Sequence, residues 1–297
     1  MTRVTESENP FTKDIDRVET AEALRLINNE DKAVAAVISG LIDEIAEVTE
    51  RVFQCISAGG RLFYVGTGTS GRLGVLDAAE LPPTFGVAPD LVIGLIAGGY
   101  DALYKAVEAS EDDRDAGVED LKKYKLDRED AVIGIAASGS TPYTIGAVEF
   151  ARSIGCFTAC ITCNPDSPIE SAVEKPIVAV VGPEAIAGST RMKAGTAQKL
   201  ILNMISTILM VKLGFVTGNR MTNVRATNRK LVERSLWLLR KETGISEEKA
   251  KELFRAAGED LRVAIVMKKA GVNRERAEEE LERTGNVIAV ALDQLSG

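Results

Sequence analysis

The run Arg61-Leu-Phe-Tyr-Val65-Gly-Thr-Gly-Thr-Ser-Gly-Arg72 decides the fold. An apolar stretch closed by a glycine-rich turn reads as a strand buried on both faces that gives way to a helix. Four more runs of this kind follow, at Leu91–Ala97, Ala131–Ala137, Phe157–Thr162 and Pro176–Val181. They are mostly continuous Val/Ile/Ala runs without the polar alternation of a half-exposed strand. Helical patterns lie between them at Gly71–Leu81, Tyr100–Ala109 and Ser140–Ile154. This order predicts an α/β protein: a doubly wound five-stranded parallel sheet flanked by helices, with ligands bound beyond the carboxyl ends of the strands.

Outward from the sheet the chain is helical. Asp16–Ile27 and Lys32–Ile56 are predicted as helices, with Asp31 as N-cap of the second. Past the sheet, Ala226–Glu242 carries Val232, Leu236 and Leu239 at helical spacing. Helices are expected next at Ser246–Ala257, Asp260–Lys269 and Asn273–Leu295, with Gly244, Gly258 and Gly271 as stops. The expected division is an N-terminal helical segment (1–50), a sheet domain (51–219) and a small helical C-terminal domain (220–297).

A chain of 297 residues with 45% hydrophobic content can bury a sizeable core. Its net charge of −8 supplies no basic patch, which argues against nucleic acid or a membrane surface as partner. Met1–Pro10 has no apolar run, so no signal peptide is read there. Leu200–Val211 is interrupted by Asn203, Ser206 and Thr207 and reads as a buried helix; a cytoplasmic protein is expected. Cys156, Cys160 and Cys163 lie on or beside a strand and read as small buried hydrophobes. The chain has no histidine, so any acid–base work falls to carboxylates, lysines, tyrosines or water. No metal site and no cofactor is expected.

Gly66, Gly68 and Gly71 formally match the dinucleotide-binding spacing, but Thr67, Thr69 and Ser70 suit a terminal phosphate with free oxygens. The ribose-binding acid expected about 20 residues on is missing, because that region reads Leu91-Val-Ile-Gly94. The third strand ends in a second turn of the same kind, Ala137-Ser-Gly-Ser-Thr-Pro-Tyr143. Two such helix N-termini can converge on one anion, making Thr67, Thr69, Ser70, Ser138, Ser140 and Thr141 candidate phosphate ligands. Ordinary helix capping is the bland alternative. Glu80 lies nearly three turns beyond Ser70, roughly 15 Å along the helix, within reach of the far end of an extended sugar or of a partner subunit. Glu108, Glu111, Asp112 and Asp113 form an acidic run that by itself reads as solvated surface. The segment Gly182–Lys199 brings Ser189, Arg191, Lys193 and Lys199 to a loop after the fifth strand. It reads either as a site for phosphate or a developing oxyanion, or as a plain capping loop.

At these residues the sequence resembles the sugar-isomerase (SIS) domain proteins and, within them, the N-acetylmuramic acid 6-phosphate etherase family. The resemblance covers nearly the whole chain: Thr5-Glu-x-x-Asn-Pro10 with Ile15-Asp16, Gly66 through Gly86, Ser138–Tyr143, and the long Gly182–Thr207 segment shared with the glucokinase regulatory protein. It implies an SIS-type sheet domain and a carbon–oxygen lyase reaction: elimination then hydration at the lactyl ether of a phosphorylated amino sugar. It implies Glu80 as proton donor to lactate and Glu111 as the group acting on the C2 proton; such carboxyl groups work best when burial raises them toward neutrality. A homodimer and a ubiquitin-associated-like C-terminal segment are further implications. A sugar-phosphate-responsive regulator and an aldose–ketose isomerase are the alternatives.

Overall fold

All five apolar runs are strands: β1 (Leu62–Gly66), β2 (Val92–Ile96), β3 (Ala131–Ile135), β4 (Phe157–Thr162) and β5 (Lys175–Val178). The computed structural model describes residues 3–105, 107, 110–222 and 229–296, without the side chains of 229 and 230. The strands pair in parallel in the order β2-β1-β3-β4-β5. From β1 the chain goes to one side for β2 and to the other for β3, so the strand order reverses between β1 and β3. In such sheets that reversal opens a crevice at the carboxyl ends. Both candidate phosphate turns leave from there, with Gly66 and Ile135 in register.

The chain forms two compact units, Met1–Ala79 with Pro89–Ser206, and Glu80–Ala88 with Thr207–Gly297. The first holds the sheet and helices α1 (Thr20–Ser39), α2 (Ile42–Ser57), α4 (Arg114–Lys123), α5 (Pro142–Ser153) and α6 (Pro168–Ala172). It also holds the larger parts of α3 (Gly68–Phe85) and α7 (Lys193–Lys212). Phe63, Val65, Val132 and Cys160 pack with Leu121 of α4 and with Tyr143, Ala147 and Val148 of α5. Tyr64 and Ile135 point the other way and meet α3 at Gly74, where an added Cβ would lie 3.0 Å and 3.1 Å from them. Burial on both faces explains why the strands show no polar alternation.

Several helix boundaries differ from expectation. Asp31 is not an N-cap, because α1 runs through it to Ser39 and the break falls at Gly40–Leu41. The polar run before Asp31 looks like a stop, yet Val34 and Ile38 continue a buried stripe. Glu30, in the middle of that run, is bonded to Lys193 and Asn9. In place of the helix expected at Tyr100–Ala109 there is a 3₁₀ turn at Gly99–Leu103 (Ala106, Glu108 and Ala109 lie outside the described residues). The next helix is α4, whose buried face carries a glycine: a Cβ on Gly117 would sit 2.2 Å from the Tyr143 carbonyl oxygen. With Leu121 as its other buried residue, that face offers too short a stripe for sequence reading to find. α3 continues through Pro82 and Pro83 to Phe85, not ending at Leu81. Those prolines remove two amide donors, but their fixed φ suits the helix.

α7 is long and apolar enough to cross a membrane by length and composition, and more than half of it is buried inside the fold. Its Asn203 donates to Asp77 at 2.7 Å, as befits a core helix. Cys156, Cys160 and Cys163 are buried as expected, and burial pushes their thiols up to about 12, keeping them protonated.

In the second unit, the antiparallel pair β6 (Val216–Thr217) and β7 (Arg220–Met221) precedes α8 (Arg229–Thr243), α9 (Glu247–Ala256), α10 (Leu261–Ala270), α11 (Arg274–Arg283) and α12 (Ile288–Ser296). The expected start at Ala226 lies outside the described residues. Ser246, Asp260 and Asn273 cap the next three helices with their side chains, and Gly244, Gly258 and Gly271 adopt the positive φ that ends helices. The helix expected over Asn273–Leu295 is two helices. Gly285 and Asn286 take φ of 63° and 67° and break it. Leu239, Phe254, Leu261, Val266 and Leu281 form this unit's core.

Candidate active site

The first turn is built by glycines that let strand and helix approach closely. A Cβ on Gly66 would lie 2.9 Å from the Gly71 nitrogen, and one on Gly71 would lie 2.7 Å from the Gly66 oxygen. Gly68 has φ +49°, a backbone form that favours glycine. The turn therefore carries Thr67, Thr69 and Ser70 on a backbone that no larger residue could copy. Thr67 and Ser70 are buried. Ser70 Oγ donates to Gln198 Oε1 at 2.9 Å, and the Thr69 methyl lies against Gly195, so the first turn rests on the start of α7.

The second turn is held differently. Gly139 has φ +67°, and a Cβ there would fall 2.3 Å from Ser167 Oγ. Ser140 donates from both its amide (3.3 Å) and its hydroxyl (3.2 Å) to Ser138 Oγ. Thr141 is the N-cap residue of α5, and Pro142 takes the first helical position, where its missing N–H costs nothing. Buried Asn164 donates to the Ala137 carbonyl oxygen at 2.9 Å and to Thr5 Oγ1 at 2.9 Å, tying the turn to the N-terminal segment. A cavity of about 620 Å³ opens beside Ser138, lined also by Arg3, Asn164 and Ser167.

Glu111 meets both turns. Its main-chain carbonyl accepts from the Tyr143 amide at 3.1 Å, one of the N–H groups that a helix start leaves without an internal partner. Its carboxylate reaches the first turn, where a Cβ on Gly68 would lie 3.3 Å from Glu111 Oε1. The acid that looked like solvated surface is thus half-buried and pinned between two hydroxyl-bearing helix starts. Asp113, two residues on, is the N-cap of α4 and accepts from Ala116 N at 3.0 Å, which fixes the other end of this short linker.

Glu80, on α3 in the segment grouped with the second unit, is exposed. One turn earlier, Asp77 is 7% exposed and accepts from Asn203 at 2.7 Å and Ser206 at 3.2 Å. Burial raises its carboxyl above the ordinary range, against the pull of these donors. The Tyr64 hydroxyl faces the same carboxyl outside hydrogen-bonding geometry.

The cations after β5 divide. Lys193 is not free for a ligand: its ammonium, 3% exposed, pairs with Glu30 Oε2 at 2.5 Å. Burial acts on Glu30 in the opposite sense, but Lys193 and Asn9 hold its carboxyl below the usual value. Arg191 and Lys199 are exposed, and Ser189 is half-buried. Fully buried Glu184 accepts from the Lys193 amide at 2.8 Å and the Ala194 amide at 2.9 Å, capping α7; burial lifts its carboxyl. Sequence reading missed Glu184, Asn164 and Gln198. Gln198 had a signal, since an amide inside an apolar helix costs about 1–3 kcal/mol if left unpaired.

Residues 44–152 match the family described as the glucokinase regulatory protein N-terminal SIS domain. The fold is shared with an Escherichia coli CFT073 protein solved as a ligand complex, at TM-score 0.51 and 20% identity over 68% of this chain and 97% of that one. It is shared likewise with a Bacteroides fragilis NCTC 9343 protein, at TM-score 0.53 and 21% identity over 68% and 95%. The chain is 48% identical over 293 residues to an N-acetylmuramic acid 6-phosphate etherase of Clostridium botulinum (strain Langeland), across 99% of this chain and 97% of the relative. It is 51% identical over 264 residues to that of Cronobacter sakazakii, across 89% of each. This chain belongs to the N-acetylmuramic acid 6-phosphate etherase family.

Proposed function

We propose that the protein cleaves the lactyl ether of N-acetylmuramic acid 6-phosphate, acting as a carbon–oxygen lyase in amino-sugar recycling. The observation that carries this reading is Glu111, whose carbonyl is bonded at the second turn and whose carboxylate lies at the first. Thr67, Thr69, Ser70, Ser138, Ser140 and Thr141 hold the phosphate through hydroxyls and helix-start amides. With the sugar ring open, the C1 aldehyde acidifies the C2 proton, and Glu111 removes it. The electron pair forms the C2–C3 double bond, and D-lactate leaves from C3 with a proton from Glu80. Water then adds at C3 and a proton returns to C2, giving N-acetylglucosamine 6-phosphate. In this reading Ser189 and Arg191, on the loop before α7, and Lys199, on α7, meet the rest of the substrate. Lys193 acts through the fold, by its pair with Glu30. We place the enzyme in the cytoplasm as a homodimer. The test is direct: purified protein incubated with N-acetylmuramic acid 6-phosphate releases D-lactate, detected by D-lactate dehydrogenase. No release overturns the reading, and a ketose phosphate formed from an aldose phosphate would make it an isomerase.

A further inference from the structure

We propose that Gln198 is a positioning residue that sets the direction of the Ser70 hydroxyl hydrogen, and with it the grip of the first turn on phosphate; this rests on the phosphate reading above. Gln198 is the sixth residue of α7 and is 0% exposed. Its Oε1 accepts from Ser70 Oγ at 2.9 Å, and its Nε2, equally buried, has no partner among the described residues. Around it α7 is apolar: Ala197, Ile201 and Leu202 are at most 1% exposed. An apolar side chain of the same length would fill this position with no polar atom left over. The amide therefore has its reason at Ser70.

A serine hydroxyl has one hydrogen and two lone pairs, and a glutamine amide offers one end that accepts and one that donates. With Oε1 toward it, Ser70 spends its hydrogen on Gln198, and an arriving phosphate oxygen meets a lone pair. With the amide turned over, Nε2 donates to Ser70 Oγ, and the hydroxyl hydrogen is released to the phosphate as a charge-assisted bond. The same two side chains serve both states without a backbone shift. A carboxylate at 198 can only accept, a thioether accepts only weakly, and an alkyl group does neither.

The experiment is a double-mutant cycle on the full chain, read by calorimetric binding of N-acetylglucosamine 6-phosphate. Gln198→Glu, whose carboxylate keeps the Ser70 hydrogen, is expected to weaken binding about 10-fold, the loss associated with one charge-assisted hydrogen bond, and Gln198→Met, which leaves the hydroxyl undirected, about 5-fold. Placed on a Ser70→Ala background, Gln198→Met is expected to change affinity less than about 2-fold, because the group it acts through is gone. In the etherase assay Gln198→Met raises KM and leaves kcat within about 2-fold. Wild-type affinity in either single variant, or the same loss with and without Ser70, overturns the proposal. If Gln198→Met does not fold, Gln198→Leu takes its place in the cycle. Wild-type protein that binds the sugar phosphate yet releases no D-lactate sinks the etherase reading and leaves the cycle decisive; wild-type protein that does not bind it overturns both.

Discussion

The two hydroxyl-bearing turns leave neighbouring strands at the same level, but different parts of the chain support them. The first is wired to α7 through Ser70–Gln198, and its helix is tied to α7 again through Asp77 with Asn203 and Ser206. The second is closed on itself by Ser138 and Ser140 and braced by Asn164 and Ser167, with Thr5 behind them. Similar sequence signatures thus have unlike mechanical surroundings. A phosphate shared by both would be held by two supports able to fail separately, and Glu111 is the residue that feels both.

The sharpest break of this comparison is at Glu111. Glu111→Gln keeps the main-chain bond to Tyr143 but removes the base, so D-lactate release should fall about 10²–10⁴-fold, with sugar-phosphate binding within a few-fold of wild type. Glu80→Gln should cost turnover on the same scale. Loss of binding in Glu111→Gln, with turnover of the bound fraction intact, would make Glu111 a structural part of the turns.

The glycines come next. Gly139→Ala forces a Cβ onto Ser167 in a backbone form costing about 1–3 kcal/mol, so both Tm and product affinity should drop, the latter about 10-fold or more. Gly68→Ala carries the same positive-φ strain but meets only the movable Glu111 carboxylate, so it should lower kcat and cost less Tm than Gly139→Ala. Equal Tm losses in the two would erase the difference between the turns. Smaller again, Ser70→Ala and Ser138→Ala should each weaken product binding about 10-fold, and their effects should add, as for independent supports. Strong non-additivity in that pair would mean the supports are one.

The smallest effect concerns pH. Because burial raises the Asp77 carboxyl, the folded state holds this proton more tightly than the unfolded chain does. Stability from this group is then greatest below the unfolded value near 3.8 and declines as pH rises through the folded one. Asp77→Asn removes that cost, so its Tm should exceed wild type's at pH 7 and the advantage should shrink toward pH 4. A constant offset across that range would show that the carboxyl charge is not responsible.

The strands and the two turns were legible because each is a local pattern: an apolar run, followed at the turns by Gly with Ser or Thr. The supports were not, because they join residues far apart in sequence. Ser70 and Gln198 are 128 positions apart, and Thr5 and Asn164 are 159 apart. Glu111 read as surface because its neighbours are acids, and only the α5 start and Gly68 reveal its surroundings. α4 was missed for a related reason, since its inner face is Gly117 and Leu121, too short a stripe to show hydrophobic periodicity. Asp31 misled in the opposite direction, because a polar run mid-helix resembles a cap unless Lys193 is seen beside it.

Glu184 has a consequence for experiments on bound anions. By filling the amide end of α7 with its own carboxylate, the chain has closed one dipole that would otherwise attract any stray oxyanion. In crystals grown from sulfate, difference density is expected at the Thr67–Ser70 and Ser138–Thr141 turns and none at Lys193–Ala194. An inhibitor designed with a second anionic arm toward that helix would find a carboxylate waiting and gain nothing from the reach.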